Sequence, residues 1–61
     1  MAEFSKKQTA DLRGLLADEE SLVKKISVLA KKTDDMEAKQ KLEQISLQHQ
    51  GHFNTLYEML K

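Results

Sequence analysis

The chain has no cysteine, no proline and no tryptophan. Without cysteine no disulfide can staple the fold, which fits a reducing compartment. Without proline nothing interrupts a helix along its whole length. Glycine occurs only at Gly14 and Gly51, and the aromatics are limited to Phe4, Phe53 and Tyr57. There is no excess charge of either sign. Ten basic residues balance ten acidic ones, which argues against a nucleic-acid partner held by long-range electrostatics. No apolar run reads as a signal peptide or approaches the length of a membrane span. The expectation is a soluble protein made in the cytoplasm, with no membrane partner.

What is present is helix-forming: Ala, Leu, Glu, Lys, Gln and Met dominate, and charged residues make up 33% of the chain. This composition predicts an all-α protein. Sixty-one residues form one domain at most, too small to bury a large core, so a metal or self-association is expected to add stability.

The pattern predicts a first helix over residues 6–32. Ser5-x-x-Gln8 has the form of a capping box, with Phe4 just outside it. Three seven-residue series follow: Leu12, Glu19 and Ile26; Leu15, Leu22 and Leu29; Leu16, Val23 and Ala30. They form one broad face of the kind a bundle helix buries. Lys31 and Lys32 complement the helix dipole at the C-terminal end. A turn is predicted at residues 33–34 and a second helix over 35–60, with Asp34 as N-cap and Glu37 completing a box. On the second helix, Leu42, His49 and Leu56 form one series and Ala38, Ile45, His52 and Met59 another, extended by Phe53 and Leu60. Val28 and Leu47 fall off these faces and read as scattered surface apolar residues. Outward charges pair at helical spacing as Glu20–Lys24, Glu37–Lys41 and Lys39–Glu43.

So short a link forces the helices antiparallel. A lone hairpin leaves much of both apolar faces wet, whereas two hairpins packed face to face make a four-helix bundle. The expected state is therefore a homodimer.

Three ionisable residues interrupt the apolar series: Glu19, His49 and His52. With the turn near residues 33–34, Glu19 faces Gln48 or His49, and His52 lies one turn further along, opposite Leu15 or Leu16. His49 and His52 share a face at a spacing of three. Two imidazoles and a carboxylate with open positions suit Zn, Fe or Mn. The same three groups also suit a hydrogen-bonded polar layer that fixes register, or a slight helix rotation that lets them reach solvent. Ser21, Ser27 and Ser46 carry no sign of an activated hydroxyl, and there is no phosphate-cradling glycine loop. No enzymatic activity is expected.

Glu19-Glu20-Ser21-Leu22-Val23-Lys24-Lys25 is similar to a segment of small bacterial spore coat proteins of the coat F type. So is the run from Ile45 to Leu56, with its His49-x-x-His52 followed by Phe53, Asn54, Thr55 and Leu56. The likeness extends from Phe4 to Leu60, and its distinctive part is the His-x-x-His-aromatic-Asn-Thr-Leu run. The resemblance implies a hairpin that pairs into a ferritin-like four-helix bundle, a structural role in a spore coat, and other coat proteins as partners. Ferritin-like di-metal bundles set a Glu on one helix against Glu-x-x-His on its neighbour. Here Glu19 matches the first element and His52 the histidine, but His49 stands where the second Glu belongs. The bridging carboxylate is missing, which speaks against di-iron chemistry and leaves a mononuclear site. A third reading, an RNA-binding hairpin dimer, rests on an architectural likeness to a small plasmid copy-number regulator. It would need a basic stripe, and Lys24, Lys25, Lys31 and Lys32 read instead as a solvated helix end.

Overall fold

A computed structural model of the chain describes residues 3–61. They form a two-helix hairpin, α1 over Lys6–Lys32 and α2 over Met36–Leu60, measuring 45 × 17 × 11 Å. Helix α1 begins on the expected capping box. The Gln8 amide donates to Ser5 Oγ at 3.1 Å, and the Ser5 amide donates to Gln8 Oε1 at 2.9 Å. Two of the N–H groups that a helix start leaves unpaired are thereby satisfied. At the other end the Thr33 hydroxyl donates to the Leu29 carbonyl at 2.7 Å and the Thr33 amide to the Ala30 carbonyl at 3.2 Å.

The link runs from Thr33 to Asp35, one residue longer than the sequence predicts. Asp35 rather than Asp34 is the N-cap of α2, its Oδ1 accepting from the Glu37 amide at 3.1 Å. With Thr33 extended and bonded back into α1, the chain reverses over Asp34, and the second aspartate is the one left facing free amides. The predicted box with Glu37 does not form, because Glu37 stands two residues from the cap instead of three. Glu20–Lys24 and Glu37–Lys41 pair as expected, at 3.6 and 3.3 Å. Lys39 and Glu43 do not pair, and both line a groove with Ser27 and Ser46. Val28 and Leu47 are exposed.

The broad apolar face of the sequence divides in the structure. The seam between the helices takes Leu12, Leu16, Glu19, Val23, Ile26 and Ala30 from α1. From α2 it takes Leu42, Ser46, His49, Phe53, Leu56 and Leu60; all are half-buried except Ala30, which is fully buried. In each helix these positions alternate in steps of four and three, the spacing of a coiled-coil seam. Near the turn the seam is built of small side chains, and the Ser27 and Ser46 hydroxyls approach to 3.4 Å across it. The second series of α1 is not in the seam: Leu15, Leu22 and Leu29 keep 39–53% of their surface exposed. Two helices have only one mutual contact line, so a face wider than that line stays partly wet. Among the described residues no helix is long and apolar enough to cross a membrane.

Candidate metal centre

Glu19 is the central residue of α1, and His49 lies one residue past the centre of α2. The antiparallel register brings them together across the seam. His49 Nδ1 lies 2.9 Å from Glu19 Oε2, and both side chains are partly sheltered, 27% and 18% exposed. An ionised carboxylate only accepts, so in this bond Nδ1 carries the proton and donates it. His52 Nδ1 lies 3.6 Å from the same oxygen, too long for a hydrogen bond but aimed at the same point. The two imidazole rings stand perpendicular, with centroids 5.5 Å apart.

All three sequence-predicted residues thus converge. The expectation that all three sit on the apolar seam holds for Glu19 and His49 and needs correcting for His52. It flanks the seam and its side chain is 64% exposed. The reason is the helical phase: at three residues from His49, His52 occupies the edge position beside the contact line, equivalent to Leu15 on α1. A shallow groove lined by Leu15, Glu19, His52, Thr55 and Leu56 opens there. Thr55 belongs to the distinctive run after His52, but the sequence assigned it no part in the cluster; its hydroxyl donates to the Gly51 carbonyl one turn back at 3.1 Å.

One ligand atom from each of Glu19, His49 and His52 can be chosen so that all lie within 4.8 Å of one another. Ligands bound to zinc at ~2.0–2.1 Å stand about 3.3 Å apart, so the widest pair must close by about 1.5 Å. His52, with its side chain 64% exposed, is the ligand freest to rotate toward the other two. The donor set fits: the cluster is capable of coordinating a metal ion, and two imidazoles with one carboxylate suit Zn, Fe or Mn. Three protein ligands would leave at least one position of a bound ion open. Ligation through Nδ1 requires the His49 ring to carry its proton on Nε2 instead, which frees the Nδ1 lone pair for an ion. One component of a finished metal site is missing from the hairpin alone. Ligating histidines usually donate their second nitrogen to a carboxylate or carbonyl. Among the described residues neither His49 nor His52 makes a hydrogen bond beyond the one to Glu19.

No family model, curated protein or solved structure matches this chain.

Proposed function

We propose that this hairpin is a metal-binding module, with Glu19, His49 and His52 as ligands, that works as a homodimer in a four-helix bundle. The observation that carries this reading is the convergence of both Nδ1 atoms on a single carboxylate oxygen. A helix pair gains nothing in packing from placing three ionisable groups at one level, and a partly buried carboxylate in a seam is a liability unless it has partners. The ion supplies positive charge at the carboxylate and acceptance of imidazole lone pairs. Glu19 and His49 hold fixed positions in the seam, and His52 closes from the edge. The proposed role is binding and assembly, with no reaction assigned. Homodimerisation is supported by the exposed leucine series of α1, which one hairpin cannot cover.

A second reading has its own support. The 2.9 Å Glu19–His49 bond satisfies the carboxylate without an ion. That favours a self-associating structural hairpin of the kind the spore-coat resemblance implies, with the cluster acting as a register-fixing polar layer. Isothermal titration of zinc, iron(II) and manganese(II) into untagged protein, with metal content of the purified protein, separates the two. Binding that is lost in Glu19→Gln and His52→Ala supports the metal module. No heat, no bound metal and no change in melting temperature with any of the three ions would leave the structural reading standing.

A further inference from the structure

The two long edges of the hairpin differ in character. In an antiparallel pair, the positions that precede one class of seam residue on both helices fall on the same side of the molecule. On one side these are Leu15, Leu22 and Leu29 of α1 with Ile45, His52 and Met59 of α2. Leu15 and His52 indeed line one groove. On the opposite side lie the positions that follow the other class of seam residue, Arg13, Glu20 and Ser27 with Glu43, Gln50 and Tyr57. The first side is apolar except for His52, and its five apolar residues keep 39–53% of their surface exposed. The second side is polar except for Tyr57. Each broad side of a hairpin 45 Å long and 17 Å wide offers a footprint of about 770 Å². A stable interface buries about 800 Å² per partner. The whole apolar side of a second copy therefore matches what a dimer needs.

His52 stands in the middle of that side, and the metal cluster opens onto it. We infer that a second copy of this chain packs on the Leu15–Leu22–Leu29/Ile45–Met59 face and closes over the metal centre, so that metal binding and dimerisation are thermodynamically linked. This deepens the metal-binding reading above and rests on it. Two observations set the sign. Closing the face without an ion would shut the Glu19 carboxylate and the His52 imidazole into an apolar layer with one short hydrogen bond between the three groups, which is unfavourable. A bound divalent cation would give the carboxylate and both imidazoles a partner, and the single positive charge left over would be balanced by a small anion at the open position, removing that penalty. The cluster also lies at mid-length on both helices. A two-fold axis through the middle of the face therefore sets the partner's cluster opposite, at the same level. There it can supply the outer hydrogen bonds that the single hairpin lacks.

The test is sedimentation equilibrium of the untagged full chain with and without zinc chloride, beside calorimetric zinc titration of the same samples. Zinc is expected to tighten self-association at least tenfold, and by reciprocity dimer is expected to bind zinc more tightly than monomer. His52→Ala should lose the zinc effect, so that its own dissociation constant is the same with and without zinc. Leu22→Glu should give monomer that remains helical and binds zinc weakly; should it unfold, Leu29→Gln tests the same face with a milder change. An equal dissociation constant with and without zinc, in protein that calorimetry shows to bind it, would overturn the linkage and leave the metal site standing. A folded Leu22→Glu or Leu29→Gln protein that dimerises like the parent would overturn the choice of face. Absence of calorimetric zinc binding would overturn the metal reading and the linkage with it.

Discussion

Replacing Glu19 by leucine should make the metal-free protein more stable and abolish metal binding. Glu19 occupies a seam position between Leu16 and Val23, and its side chain is 18% exposed. Burying most of a leucine there contributes about 1.5–2.5 kcal/mol relative to leaving it wet. The change removes one charge-assisted hydrogen bond, a kind worth about 1.5–3 kcal/mol when well buried. It is worth less here, because His49 keeps 27% of its surface in water and can be hydrated once Glu19 is gone. The net expectation is about 1 kcal/mol of added stability, or a rise in melting temperature of about 4–8 °C for a domain of this size. Thermal melts followed by circular dichroism at one fixed protein concentration, in chelator, read this directly, since a dimer's midpoint moves with concentration. The same variant titrated with zinc should show no binding heat. A fall in melting temperature of several degrees in chelator would refute the reasoning, because it would make the Glu19–His49 pair a structural necessity. Retained zinc affinity would refute the ligand assignment independently.

Three further outcomes are expected. His52→Ala should leave the metal-free melting temperature within a degree or two, since the side chain is 64% exposed and makes no hydrogen bond, yet zinc affinity should fall at least tenfold, as calorimetry would report. Ser5→Ala deletes half of the capping box and should cost about 1 kcal/mol, visible as a lower melting midpoint with early fraying of α1. Gly14→Ala and Gly51→Ala place a methyl group where nothing lies within 4 Å, in helical backbone without positive φ. Each should stabilise the protein by about 0.5–1 kcal/mol in a denaturant titration, and destabilisation by either would mean that this outer surface is covered in the assembled protein.

Much of this fold was legible because helix ends are chemically marked. The start of α1 follows from Ser5 and Gln8 alone, and its end from the paired lysines before Thr33. The link was harder, since Asp34 and Asp35 are equally good caps. The choice between them depends on how the Thr33 hydroxyl ties off α1, which no propensity encodes. The meeting of Glu19 with His49 was readable from the register, because a link this short allows little slippage. The place of His52 was not. Its series on α2, like Leu15–Leu22–Leu29 on α1, is as apolar as the series in the seam. Composition cannot say which of two adjacent apolar stripes meets the partner helix and which stays open. Only the packed pair, with its alternating steps of four and three, separates them.

The small residues where the helices meet near the turn have a consequence for kinetics. Ser27, Ala30 and Ser46 allow the helices to meet beside a three-residue link, so the first contacts between them close only a short stretch of chain. Such local contacts form fastest, and the hairpin should zip from the turn toward its open end. Glu19 and His49 are separated by 30 residues, so they come together only after that zipping has passed mid-length. An ion arriving at the cluster therefore acts after nucleation. It should slow unfolding far more than it speeds folding, like a clasp fastened on a hinge that has already swung shut.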